Sequence, residues 1–131
     1  MSELKLLHRA SMAIELTNGN DGRGSKWFSS AKVRDQIEGV LRITGHIRQP
    51  FAVPVVVRVT RVLGVRQQLW DYSSGLRGNW KEIEDALVVL GWFEDDGPKF
   101  ITEVQFRQLV PKKRGSPSVI VEVFESPLVE V

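Results

Sequence analysis

The chain contains no cysteine, so disulfide bonds and thiolate metal sites are excluded. Its two histidines, His8 and His46, have no metal-ligand spacing around them and no candidate nucleophile nearby, which argues against histidine-based chemistry. No apolar run approaches the roughly 18 residues of a membrane span. These absences predict a protein of a reducing compartment, the cytoplasm, with no membrane partner.

With 131 residues, of which 42% are hydrophobic, residues 1–131 have the size of one globular domain that buries its own core. The net charge of +2 is unevenly distributed. Residues 1–66 carry 11 Lys or Arg and 5 Asp or Glu, whereas residues 67–131 carry 7 and 11. Such a distribution suits a protein that binds a polyanion and a cation together, although an uneven solvated surface is the simpler explanation until motifs are considered.

Alternating hydrophobic residues predict four strands. The strongest covers residues 53–65, with Val53, Val55, Val57 and Val59 on one face and Val56, Arg58 and Thr60 on the other. The remaining three are marked by alternating residues at Met12, Ile14 and Leu16, at Thr102, Val104 and Phe106, and at Val119, Val121 and Val123.

Two helices are predicted from apolar stripes at helical spacing. The first covers residues 31–43, with Ser29 or Ser30 as its cap and Gly45 as its end. The second covers residues 79–90, between Asn79 and Gly91. The resulting order, β-α-β-α-β-β, predicts an α+β fold in which two helices pack on one small mixed sheet.

Three acidic positions and one lysine are candidates for phosphate chemistry. Asp71 follows a predicted strand, Lys81 opens the second predicted helix, and Asp95 and Asp96 follow its end. Carboxylates beside a lysine suit a magnesium ion and a phosphate. Taken singly, Asp71 fits an ordinary turn, Lys81 an ordinary surface lysine, and the Asp95-Asp96 pair a solvated turn. Asp85, beside the buried stripe, suits a structural carboxylate bonded to an arginine or to the backbone.

Basic residues occur in loops that could meet a phosphate backbone. Arg23 and Lys26 lie in or near the Gly-rich stretch TNGNDGRGS, which matches no phosphate-binding loop. Lys112, Lys113 and Arg114 are predicted to form a hairpin tip between the last two strands. Such a tip reaches DNA or merely keeps a hairpin in solution, and the sequence favours neither. If the protein binds DNA, the contacts are predicted at Arg23, Lys26, Lys112, Lys113 and Arg114.

In this order, the residues resemble the RusA family of Holliday-junction resolvases, common in bacteriophages and prophages. The family signature is Asp-x-Asp-Asn, a Lys, Asp-Ala-Leu, a Gly and Asp-Asp. It is matched by Asp71, Lys81, residues 85–87, Gly91 and residues 95–96. The likeness extends to GSKWFSSAKVRDQ upstream and to the closing PSVIVEV, so it covers most of the chain.

The resemblance implies a magnesium-dependent endonuclease that cuts four-way DNA junctions as a homodimer in recombination and repair. It implies Asp71, Lys81 and Asp96 as catalytic residues and Asp71, Asp95 and Asp96 as metal ligands, with manganese as a possible substitute. One motif departs from the family: Ser73 and Ser74 replace its second Asp and its Asn, and Gly75 is an apparent insertion. A hydroxyl does not offset the charge of magnesium, so we expect weakened metal binding.

Three functions are therefore compared. The first is an active RusA-like endonuclease. The second is a DNA-binding relative that has lost cleavage through the changes at Ser73 and Ser74. The third is an unrelated structural or interaction module with a coincidental acidic turn.

Overall fold

The fold is seen in a computed structural model. The structure describes residues 4–16, 26–45, 47, 49–71, 74–93 and 100–127. Their elements are β1 (Leu6–Met12), α1 (Lys26–Thr44), β2 (Val55–Val62), a single turn α2 (Ser74–Arg77), α3 (Trp80–Val89), β3 (Ile101–Leu109) and β4 (Ser118–Glu125). This confirms the predicted α+β fold and its order, with α2 as an added turn before the second long helix.

The four strands form one mixed sheet in the order β1-β4-β2-β3. β4 is antiparallel to both β1 and β2, whereas β3 is parallel to β2. β2 and β4 therefore occupy the interior of the sheet. The Val-rich sequence of β2 suits that place, because an interior strand is buried on both faces. Val55, Val56, Val57 and Val59 are all at most 2% exposed.

The core lies between one face of the sheet and the layer of α1 and α3, which pack against each other. Both sheet and helices contribute residues at their predicted periodicities: Ala10, Met12, Val55, Val57, Val59, Val119, Val121, Val123, Ile37, Leu41, Ile83 and Leu87.

The end of α3 follows the predicted pattern. Gly91 adopts a φ of +81°, its N–H donates to the carbonyl of Val88, and the Trp92 N–H donates to that of Leu87. These are the two hydrogen bonds of a Schellman motif, in which glycine is favoured because it carries no Cβ. Asn79 precedes the helix as predicted but makes no side-chain capping hydrogen bond.

Two sequence-based boundaries were wrong. β1 ends at Met12, although Ile14 and Leu16 beyond it are buried. α1 begins at Lys26, so Ser29 and Ser30 lie inside the helix and neither is its cap. The periodicity recorded burial correctly in both places, but burial alone does not fix where backbone hydrogen bonding begins or ends.

The predicted hairpin between the last two strands is also wrong. β3 and β4 lie on opposite sides of β2, so residues 110–117 form a crossover over the end of β2. The Val65 N–H donates to the carbonyl of Gly115 within this crossover, at 3.0 Å. The turn-forming residues of PKKRGSP suit a hairpin and a crossover equally, because the difference depends on which strand β2 recruits as its neighbour.

Candidate functional site

The segment that leads from β2 to Asp71 is anchored over the end of the sheet. Gly64 N–H donates to Gln67 Oε1 at 2.8 Å, and Gln67 N–H donates back to the Gly64 carbonyl at 3.2 Å. Arg114 Nη1 donates to the Gln67 carbonyl at 2.8 Å. The crossover and the segment before Asp71 are thus hydrogen-bonded to each other.

Trp70, immediately before Asp71, is held by side chains of β2 and β3. Its backbone N–H donates to Gln108 Oε1 at 2.9 Å, and Gln108 Nε2 donates to its carbonyl at 2.8 Å. Arg61 lies over the Trp70 ring, with its Cζ 3.8 Å from the ring centroid. The same guanidinium donates through Nη1 to Gln108 Oε1 and to the Gln68 carbonyl, at 2.9 and 3.0 Å. The backbone that carries Asp71 is therefore fixed to two strands.

Arg61 is a buried cation, only 4% exposed. Within the described part of the chain it makes no ion pair, and its Nε is buried without a hydrogen-bond partner. Burial lowers the pKa of Arg61, and the charge of Glu15 acts against that shift. The guanidinium nevertheless remains charged at neutral pH.

Lys81 lies in the first turn of α3 with 69% of its side chain exposed. Its Nζ is 3.1 Å from Asp85 Oδ1 and 3.9 Å from Glu84 Oε1. A lysine at a helix N-terminus is opposed by the helix dipole, and carboxylates one turn further along the same helix offset this. Asp85 thus pairs with a lysine on its own helix, whereas the sequence predicted an arginine or the backbone as its partner.

Asp71 and Lys81 belong to the same end of the sheet. Asp71 is exposed and follows Trp70, which is bonded to Gln108 near the end of β3. α3 begins beside the same strand, because the Trp80 ring meets the Phe106 ring edge-on at 6.3 Å between centroids. The carboxylate and the lysine named by the motif are therefore presented on neighbouring elements.

Asp95 and Asp96 lie outside the described residues, but the residues that flank them are placed. Phe93 is buried, with its ring 5.9 Å from that of Phe51. The Phe100 carbonyl accepts the Val55 N–H at 2.8 Å, at the start of β2. At about 3.3 Å per residue, Val55 is roughly 20 Å along the strand from Arg61. The flanking residues Phe93 and Phe100 thus lie at the end of β2 opposite to that of Trp70.

The predicted DNA-binding residues are partly described. Arg23 lies outside the described residues, and Lys26 is the first residue of α1, with a side chain that the structure does not describe. The basic loop, residues 112–114, is exposed throughout and lies in the crossover. Because Arg114 bonds to Gln67, the basic loop lies against the segment that leads to Asp71.

In the described part of the chain, no group of three or more His, Asp or Glu side chains is arranged to hold a metal ion. No described helix is long and apolar enough to cross a membrane. Comparison with known protein families finds no family model that matches this chain, and comparison with curated proteins finds no significant relative.

Sequence reasoning missed Arg61 and Gln108, the two residues that hold Trp70. A signal was present for Arg61. It continues the core-facing series of Val55, Val57 and Val59 in β2, where a charged residue is unexpected. Gln108 had no such signal, because a glutamine near the end of an edge strand is unremarkable in sequence.

Proposed function

We propose that this protein is a RusA-like, magnesium-dependent endonuclease that acts on branched DNA as a cytoplasmic homodimer. The observation that carries the proposal is an exposed carboxylate, Asp71, on a backbone anchored to the sheet, at the end of the sheet where Lys81 opens α3. The arrangement is interpreted as a metal-dependent nuclease site because the residues follow the order of the RusA signature: Asp71, Lys81, Asp85, Gly91 and the Asp-Asp pair.

Asp71, Asp95 and Asp96 would hold the magnesium, which on binding activates a water and neutralises the scissile phosphate. Asp71 suits a ligand position, since magnesium binds carboxylate oxygens and keeps several of its waters. Lys81 contributes a positive charge on a rigid helix start, where it stabilises charge developing on the phosphate. Four-way junctions have two symmetric strands to cut, which suits a two-fold protein.

The placement of Trp70 and Phe93 at opposite ends of β2 limits how Asp71 and Asp96 could share one metal ion. Asp96 is three residues beyond Phe93, so its Cα is within about 11 Å of that of Phe93. For Asp71 and Asp96 to share one ion, the acidic segment has to extend from the start of β2 toward the end where Trp70 lies. Manganese binding tests this, since one shared ion broadens the amide NMR signals of Asp71 and Asp96 at the same concentration.

The second candidate is a relative that binds branched DNA without cutting it. It is favoured by the loss of a carboxylate at Ser73 and by the pairing of Lys81 with Asp85 on its own helix. In this version the basic loop provides affinity, and Asp71 holds no catalytic metal.

The deciding experiment uses a labelled four-way junction and a linear duplex of the same sequence, incubated with magnesium or with manganese. Retardation and nicking are scored in the same samples. Metal-dependent nicking of the junction that disappears in Asp71→Asn supports the endonuclease. Selective retardation without nicking supports the binding-only candidate, and equal, weak retardation of both DNAs rejects both.

A further inference from the structure

Arg61 occupies a position where a charge is costly. In β2 the core-facing series begins with valines and ends with Arg61, which is 4% exposed and has no carboxylate in ion-pair range among the described residues. A buried cation of this kind usually destabilises a fold relative to a well-packed apolar residue. Stability of the core therefore does not explain Arg61, and its contacts have to.

Both hydrogen bonds that the Arg61 guanidinium makes to described residues serve the segment before Asp71. One bond goes to the Gln68 carbonyl, and the other orients Gln108. Gln108 in turn binds both backbone polar groups of Trp70, as a neighbouring strand would. The stacked guanidinium also fixes the Trp70 ring.

We propose that Arg61 and Gln108 are positioning residues that fix Trp70 and thereby the place from which Asp71 reaches substrate or metal. The inference rests on the proposed function for its consequence, and on the described contacts for its geometry. Eight residues separate the end of β2 from Asp71, and the crossover holds this segment only as far as Gln67. Beyond Gln67, the backbone is held by Arg61 and Gln108, and without them it samples many conformations. A metal-binding carboxylate has to be held within about 0.5 Å of its productive place.

The chain contains a matched control pair on the same two strands. Arg58 and Gln105 are register partners on β2 and β3, just as Arg61 and Gln108 are. Arg58 Nε donates to Gln105 Oε1 at 2.8 Å, and the guanidinium lies over the Phe124 ring at 4.6 Å. This pair occupies the opposite face of the sheet. Among the described residues, its side-chain contacts are with each other, with Phe124 and with Glu103, and not with the segment that leads to Asp71.

The first measurement is structural and needs no substrate. Four proteins are labelled with nitrogen-15 and 5-fluorotryptophan: Gln108→Leu, Arg61→Lys and the controls Gln105→Leu and Arg58→Lys. The fluorine signal of Trp70 is assigned with Trp70→Phe. In Gln108→Leu we expect exchange of the Trp70 amide to accelerate about five- to tenfold, because its acceptor is lost. In Arg61→Lys we expect the fluorine signal to shift, because an ammonium does not reproduce the stacked guanidinium. Both controls leave Trp70 unchanged.

The second measurement is single-turnover junction cleavage with manganese. Gln108→Leu should lower the single-turnover rate constant of cleavage by about tenfold or more, because misplacement of a reacting group affects the chemical step. The protein concentration that gives half of the maximal rate should change little. Unaltered exchange and fluorine signals of Trp70 would overturn the inference. So would a loosened Trp70 with an unchanged rate of cutting. If the variants loosen Trp70 but the wild-type protein never cuts DNA, the proposed function is rejected. The role of Arg61 and Gln108 in fixing Trp70 then still holds.

Discussion

Replacing Lys81 with alanine separates chemistry from folding at the proposed site. The side chain is 69% exposed, and it pairs with Asp85 at 3.1 Å, an i,i+4 contact. Exposed pairs of this kind contribute about 0.3–0.5 kcal/mol. A lysine in the first helical turn opposes the dipole by a similar amount. The two effects nearly cancel, so we expect the free energy of unfolding to change by less than about 0.5 kcal/mol.

The expected effect on cleavage is far larger. Removal of one group that stabilises charge in a transition state typically costs about 10²–10³ in rate. Binding of the junction depends on many phosphate contacts, of which Lys81 supplies at most one, so affinity should fall by less than about threefold. We therefore expect the Lys81→Ala protein to fold and to retard the junction, but not to nick it.

The assay combines thermal denaturation, gel retardation and single-turnover nicking of one labelled junction. Arg34→Ala is the matched control, because Arg34 is a surface cation that forms an i,i+4 pair with Glu38 at 3.8 Å on α1. It removes the same charge and the same kind of contact from the other helix. Equal losses of binding and nicking in Lys81→Ala would refute the reasoning and make Lys81 an ordinary backbone contact.

Three further predictions test the fold and the site. Gly39→Ala should raise the free energy of unfolding by about 0.5–1 kcal/mol, because Gly39 lies within α1 and an added Cβ meets nothing within 4 Å. Gly91→Ala should lower it by about 1–2 kcal/mol, because Gly91 has a φ of +81°, and urea denaturation measures both changes. Junction affinity should fall steeply with salt, and neutralising the basic loop should flatten that slope; affinity that ignores salt rejects nucleic acid as the ligand. Ser73→Asp combined with deletion of Gly75 should raise magnesium-dependent nicking, and fast nicking by the unaltered protein would contradict the idea of a missing ligand.

Much of the fold could be predicted because hydrophobic spacing reports burial. The periods of β2, β4 and α3 were clear, and the glycine after α3 marked its end. Boundaries were less accessible, since Ile14 and Leu16 are buried beyond the end of β1 and residues before the predicted start of α1 are already helical. Burial and backbone hydrogen bonding coincide only within regular elements.

Strand order was the second obstacle. The basic loop was placed in a hairpin because β3 and β4 are consecutive, and consecutive strands often pair. The order is set at β2, whose two edges are hydrogen-bonded to β3 on one side and to β4 on the other. That choice also moves the basic loop over the end of β2, next to Gln67. The loop that the sequence predicts to contact DNA is thereby a neighbour of the proposed site.

Arg61 shows why the support of a site escapes sequence reasoning more readily than its reactive residues. Carboxylates and lysines are recognised by their chemistry, so Asp71 and Lys81 were named directly. The sequence does not distinguish a buried arginine in an alternating strand from an exposed one, and the role of Arg61 is recognised only from its contacts with Gln108 and Trp70.

The structure also separates acidic residues that the sequence groups together. Sequence order unites Asp71 with Asp96, but the sheet anchors their neighbours, Trp70 and Phe100, at opposite ends of β2. A metal ion shared by Asp71 and Asp96 therefore requires the acidic segment to extend along β2, and the proposed endonuclease depends on that extension.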